Sequence, residues 1–177
     1  MQKTLQEIVA VLPEVQVIGN VDKIITDVTA DSREVQAGSL FICLKGAHVD
    51  GHKYLAQAAE AGAVAALVED IPEVCPAGLT LLQVADTRTG MEAAAPFFYD
   101  YPGKTMRMIG VTGTNGKTTT TNIVRAILRR AGFKVGLIGT INIMIEDEAI
   151  VAHNTTPDVV DLQRALYQMK QAGWEYV

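Results

Sequence analysis

The residues best suited to chemistry are Thr112-Gly113-Thr114-Asn115-Gly116-Lys117-Thr118-Thr119, set between an apolar run at 106–111 and a helical pattern opening near Lys117. Strand, glycine-rich turn and helix in that order form a phosphate loop. Gly113 and Gly116 let backbone N–H groups approach phosphate oxygens closely. The helix end behind them adds unpaired donors and the positive end of its dipole. Lys117 has the reach to meet β and γ phosphates. The Thr118 hydroxyl is placed to ligand Mg²⁺, an ion that keeps several waters and takes few protein groups. Gly113, Thr114, Asn115, Gly116, Lys117, Thr118 and Thr119 are therefore expected to hold ATP or GTP. The strict pattern wants glycine six residues before the lysine. Val111 stands there and Gly110 one place earlier, so the flanking strand and helix carry the assignment.

Two other stretches are candidates for ligand contact. Asn154-Thr155-Thr156-Pro157-Asp158 reads as a helix opening, with Thr156 as N-cap, Pro157 at the first helical position and Asp158 at the positive end of the dipole. Asn154 and Thr155 are then spare polar side chains beside an anion-friendly helix end. Lys45-Gly46-Ala47-His48-Val49-Asp50-Gly51-His52 is a polar loop punctuated by glycine, a setting that often holds ligand groups. His48 and His52 have the spacing of a helical metal pair. Gly51 between them argues against a helix and hence against metal.

These candidates need a scaffold, and the chain supplies an alternation of strands and helices. Thr4 and Glu7 have capping-box spacing ahead of a short helix with Leu5, Ile8, Val9 and Leu12 on one face, stopped by Pro13. Strands are expected at 15–18, 24–28, 40–44, 63–68 and 79–84, with helices at 53–61 and 87–98. Tyr99-Asp100-Tyr101-Pro102-Gly103 breaks the pattern and marks a domain boundary, giving domains 1–102 and 103–177.

In the second domain Ile123, Val124, Ile127, Leu128 and Ala131 form the expected buried stripe of a helix closed by Gly132. A strand at 135–138 follows, then a hairpin at 141–151 with Glu146-Asp147-Glu148 at its solvated tip. A helix carrying Val159, Leu162, Leu166 and Met169 ends at Gly173, and 174–177 read as the first residues of another strand. The fold class expected is α/β throughout.

Composition excludes several classes. Hydrophobic residues make up 49% of the 177, which is incompatible with wholesale disorder, and no apolar run approaches the ~20 residues of a membrane span. The amino terminus lacks the apolar core of a signal peptide, and Cys43 and Cys75 are expected as reduced, buried thiols, so a cytoplasmic location is expected. A formal charge of −5 speaks against nucleic acid as partner. Arg125, Arg129 and Arg130 read as a solvated helix face.

Taken together, Thr112 to Thr119, Asp31-Ser32-Arg33 followed by Gly38-Ser39-Leu40-Phe41, Asp50-Gly51-His52 and Asn154-Thr155-Thr156-Pro157 make the whole chain resemble the Mur ligases of peptidoglycan synthesis. The phosphate-loop segment alone is shared with folylpolyglutamate synthetases, and its conjunction with the other segments is more specific. The resemblance implies a small α/β domain that binds a UDP-sugar substrate, followed by the first part of a Rossmann-like phosphate-loop ATPase domain. It implies an ATP- and Mg²⁺-dependent amide ligase that adds meso-diaminopimelate or L-lysine to UDP-MurNAc-L-Ala-D-Glu through an acyl phosphate. Lys117 would be catalytic and Thr118 the Mg²⁺ ligand. Ser32 and the loop with His48 would meet the UDP end of the UDP-MurNAc-dipeptide, and Asn154, Thr155 and Thr156 its muramyl-peptide part. The family's metal-binding glutamate, modified lysine and amino-acid domain have no counterpart here, so an amino-terminal fragment, monomeric and inactive alone, is expected. The alternatives are the sister ligase that adds D-Ala-D-Ala and a non-catalytic nucleotide-binding module.

Overall fold

The computed structural model describes residues 1–46, 49–139, 142–145, 148–151 and 158–177, with backbone only for 142–145 and 148–151. It divides into two compact units, Met1–Phe98 and Tyr99–Val177.

The first unit opens with β1 (Lys3–Thr4) and α1 (Leu5–Val9). The capping box is present: Glu7 N–H donates to Thr4 Oγ1 at 3.2 Å, and Thr4 N–H donates to Glu7 Oε2 at 2.8 Å. Then come β2 (Gln16–Ile18), β3 (Ile24–Ile25), β4 (Asp27–Thr29) and β5 (Ser39–Ile42). A 3₁₀ turn at Gly51–Tyr54 leads into α2 (Leu55–Glu60), followed by β6 (Ala65–Val68), β7 (Thr80–Gln83) and α3 (Thr87–Phe98).

The expected single strand at 24–28 is two. β3 pairs antiparallel with β1, whereas β4 joins the main sheet beside β5. Thr26 lies between them and donates its N–H to Gly38 O at 3.0 Å, so the chain changes sheets there. The expected helix at 53–61 starts as the 3₁₀ turn because the Asp50 side chain caps His52 N–H at 3.0 Å, five residues ahead of Leu55, where α2 begins.

The main sheet runs β2-β7-β6-β5-β4, parallel from β4 to β7 and closed by antiparallel β2. Its central strands are buried on both faces, which is why they read as unbroken apolar runs. Phe41, Cys43, Ala66, Val68 and Leu81 pack with Leu55 and Ala58 of α2. Leu40, Ile42, Leu67 and Leu82, also fully buried, point the other way. There α3 comes so close that a Cβ at Gly90 would lie 2.7 Å from Leu67 Cδ2. Burying each such Leu or Phe is worth about 1.5–3 kcal/mol.

The second unit holds α4 (Lys117–Arg130), β8 (Leu137–Ile138), β9 (Asn142–Ile145), β10 (Glu148–Val151) and α5 (Val159–Gln171). The segment at 106–111 makes only a narrow parallel pairing. Arg107 N–H donates to Glu175 O, Val177 N–H to Arg107 O and Ile109 N–H to Val177 O, at 2.8, 3.0 and 2.8 Å. On the other side of the carboxyl-terminal segment, Tyr176 N–H donates to Lys134 O at 3.2 Å and Tyr176 O accepts from Gly136 N–H at 2.9 Å. The carboxyl-terminal segment is thus the middle of three parallel segments. β8, β9 and β10 form an antiparallel meander, with the expected hairpin at β9–β10; residues 146 and 147 of its tip lie outside the described residues.

Both long helices of this unit end as the glycines foretold. Gly132 and Gly173 have φ of +91° and +74°. Phe133 N–H donates to Leu128 O, and Trp174 N–H to Met169 O, each at 3.1 Å, the Schellman arrangement. The other end of α5 departs from expectation. Its N-cap is Asp158, whose carboxylate accepts from Asp161 N–H at 2.8 Å, so Thr156 and Pro157 precede the helix and lie outside the described residues. The α4 stripe is also narrower than expected. Val124 and Leu128 are half-buried against the parallel segments, but Ile123 and Ile127 are 54% and 62% exposed and Ala131 is exposed. Three short segments cover one side of the helix only, and the two isoleucines lie further round it.

Candidate nucleotide and substrate sites

The phosphate loop leaves the parallel segment at 107–111 and turns into α4 at Gly116, the N-cap, whose φ of +79° belongs to the left-handed region. Gly113 has φ of +147°. A Cβ at Gly116 would meet nothing within 4 Å and one at Gly113 only Asn115 O at 3.6 Å, so backbone conformation rather than space demands glycine here. Thr120 N–H is the first to close a helical bond, to Gly116 O at 2.9 Å, and no side chain caps the helix. The amides of Lys117, Thr118 and Thr119 therefore precede the intrahelical ladder and face the loop as donors. Lys117 Nζ bends back over the turn to donate to Gly113 O at 2.5 Å and Thr114 O at 3.4 Å. Residues 112–120 are exposed throughout. The arrangement suits a polyanion: backbone donors and one ammonium around an open turn.

Thr118 sits in the first turn of α4 with an exposed side chain, while its carbonyl accepts from Thr121 Oγ1 and Asn122 Nδ2 at 3.1 and 2.8 Å. Among the described residues no group of three or more His, Cys, Asp or Glu could hold a metal ion. One hydroxyl beside a phosphate-binding turn fits Mg²⁺ only as a partial ligand, with phosphate oxygens and water completing the shell.

In the first unit Ser32 follows β4, in a turn organised by Asp31. That carboxylate accepts from Arg33 N–H at 2.9 Å and grips the Arg33 guanidinium through Nε and Nη2 at 2.9 and 2.5 Å. The hydrogen bonds that the guanidinium donates to Asp31 push the Arg33 pKa further up. Ser32 is half-buried, and its hydroxyl has no partner among the described residues. The loop after β5 begins at the same end of the neighbouring strand, since Thr29 and Phe41 are paired. That is the carboxyl end of a parallel sheet, where ligands of α/β folds bind. His48 lies outside the described residues, as do Asn154, Thr155 and Thr156.

The structure adds contacts that spacing did not reveal. Lys45 Nζ pairs with Glu69 Oε2 at 3.0 Å and Asp70 Oδ2 at 2.6 Å. His52 Nδ1 lies 2.7 Å from Asp50 Oδ1, and His52 Nε2 accepts from Glu69 N–H at 2.9 Å. Hydrogen bonds from His52 hold the Asp50 carboxyl below its ordinary range, and those from Lys45 do the same for Asp70. For Glu69 burial pushes upward, but hydrogen bonds from Thr87 and Lys45 outweigh it. Of these groups Lys45, Glu69 and Asp70 border a cleft of about 370 Å³ shared with Glu14, Gln16 and Gln83. Three carboxylates against one ammonium make that cleft a poor place for a diphosphate. Only the polar pair Glu69-Asp70 after an apolar run marked the far side of this cluster in sequence.

Known proteins share both units. The family described as "Mur ligase family, catalytic domain" matches residues 24–99, and "Mur ligase middle domain" matches 111–177. A UDP-N-acetylmuramoyl-L-alanyl-D-glutamate–2,6-diaminopimelate ligase of Bacteroides fragilis is 43% identical over 98% of this chain and 36% of its own length. A solved structure of a ligase of that name superposes with a TM-score of 0.77 at 25% identity, covering 99% of this chain and 35% of the other. The MurF crystal structure from Acinetobacter baumannii gives 0.68 at 22%, with 99% and 35% covered. The chain thus spans about a third of the length of the proteins it matches.

Proposed function

The chain belongs to the Mur ligase family, and on that premise we propose that it forms the substrate- and ATP-binding part of a ligase that adds a diamino acid to UDP-MurNAc-L-Ala-D-Glu. The relative from Bacteroides fragilis, 43% identical and named for 2,6-diaminopimelate, favours that acceptor, whereas the MurF likeness stands at 22%. In the proposed reaction the γ-phosphoryl group of ATP passes to the D-glutamate side-chain carboxylate, forming an acyl phosphate and ADP. The amine of the diamino acid attacks the acyl carbon, phosphate leaves and an amide remains.

The observation that carries this reading is the phosphate loop, with glycines in positive φ, uncapped amides at the start of α4 and Lys117 over the turn. The amides of residues 113–119 cradle the phosphates. Lys117 exchanges the carbonyls of Gly113 and Thr114 for β and γ phosphate oxygens and offsets the charge developing there. Mg²⁺, with Thr118 as its ligand from this segment, would supply charge neutralisation between the phosphates. Residues 1–102 bind the UDP-linked substrate through Ser32 and the loop with His48; residues 103–177 begin the ATP-binding domain, with Asn154, Thr155 and Thr156 toward the muramyl peptide.

Calorimetry on the 177-residue chain tests the assignment. Lys117→Ala should weaken Mg-ATP by about a hundredfold or more and leave UDP-MurNAc-dipeptide affinity unchanged. Equal Mg-ATP affinity in the variant and the parent would overturn it.

A further inference from the structure

His52 is held as if for a purpose that neither proposed ligand contact uses. Its side chain is 12% exposed and both ring nitrogens are engaged. A backbone amide only donates, so the Glu69 N–H at 2.9 Å, with Asp70 N–H behind it at 3.4 Å, requires a lone pair on Nε2. The ring proton is therefore on Nδ1 and is donated to Asp50 Oδ1 at 2.7 Å.

The bonds join two places distant in sequence. Asp50 and His52 belong to the loop that leaves β5, while Glu69 and Asp70 lie just beyond β6, whose last paired residue is Val68. The imidazole thus satisfies an amide past the end of the ladder. Lys45 crosses the same gap in the opposite sense, from the loop to the Glu69 and Asp70 carboxylates. The loop is also closed on itself: Gly46 N–H donates to Val49 O at 2.8 Å and Gly51 N–H to Leu44 O at 2.9 Å. Gly51 is packed so tightly that a Cβ there would lie 2.9 Å from Leu44 N. The described parts of the loop, 44–46 and 49–52, are thus tied by Lys45 and His52 to the end of β6, at the carboxyl end of the sheet where Ser32 follows β4.

We propose that His52, as the neutral Nδ1–H tautomer, is a positioning residue for the uridine end of the substrate, fixing the loop after β5 to the end of β6 where that loop and Ser32 meet one ligand. The inference rests on assigning the first unit to the UDP-linked substrate. His52 acts through the loop and touches no reacting atom.

The test uses UDP and Mg-ATP with the 177-residue chain, its His52→Phe and His52→Gln variants, and NMR. Phe removes donor and acceptor, whereas the Gln side chain can return an acceptor to Glu69 N–H. His52→Phe should weaken UDP by about tenfold or more with Mg-ATP affinity unmoved, and His52→Gln should recover it to within about threefold. A merely structural loss would lower stability without that split between ligands. Long-range ¹H–¹⁵N spectra of the parent chain should show Nε2 unprotonated, a readout independent of whether the Phe variant folds. Equal UDP affinity in the parent and His52→Phe, failure of Gln to rescue, or a proton on Nε2 would overturn the positioning role alone. Absence of UDP binding, or shifts confined to the surroundings of Lys117, would instead overturn the assignment of the first unit and this inference with it.

Discussion

Lys117 Nζ donates to Gly113 O at 2.5 Å, four residues back along the chain, so the ammonium spans the mouth of its own phosphate loop. The turn that permits this depends on Gly116 at φ +79°. Gly116→Ala should place an L residue in the left-handed region at about 1–2 kcal/mol, weakening Mg-ATP by about tenfold. Gly110→Ala is the control, because its added Cβ meets nothing within 4 Å and its φ is not positive. Calorimetry should separate the two, and equal losses would remove the conformational argument.

The two cysteines should differ in reactivity. Burial pushes the Cys43 thiol up to about 12, so almost no thiolate forms there at neutral pH, while Cys75, expected to be buried, is exposed. A disulfide-exchange reagent at about pH 8 should label Cys75 in the native chain and reach Cys43 only after denaturation. Rapid labelling of both would contradict the packing of Cys43 between β5 and α2.

Acid should loosen the first unit through Asp50 and Asp70. Both carboxyls are held below their ordinary range, Asp50 by hydrogen bonds from His52 and Asp70 by those from Lys45. A depressed folded pKa contributes stability that is complete above the unfolded value near ~4 and is lost as pH falls through the folded value. Thermal melts of the first unit should therefore be insensitive to these groups above about pH 5 and fall below about pH 4. Lys45→Met should flatten that acid slope. An unchanged slope would show that the Lys45 cluster is not its source.

Asp158 caps α5 through its bond to Asp161 N–H at 2.8 Å. Asp158→Ala should cost the second unit about 1 kcal/mol, and Asp158→Asn much less, since an amide oxygen also accepts. Denaturant unfolding followed by Trp174 fluorescence reports on this unit, because Trp174 packs with Met169 of α5.

Features written in consecutive residues were legible in the sequence. The phosphate loop, the Thr4–Glu7 capping box and the glycine ends at Gly132 and Gly173 each depend on bonds within a few residues, so composition and spacing suffice to specify them. The α/β class followed from the same local periodicities. Tertiary structure decided the rest. Thr26 divides one apolar run because Gly38, not a sequence neighbour, accepts its N–H, and Asp158 displaces Thr156 as N-cap. Ile123 and Ile127 repeat with the period of a buried stripe and are nevertheless exposed, because periodicity states which face is apolar and not what covers it. His52 meets Glu69, and Lys45 meets Asp70, only after β5 and β6 align in parallel, bringing together groups 17 and 25 residues apart. No local pattern encodes that pairing, since it depends on strand register, and register is set by burial of the whole sheet.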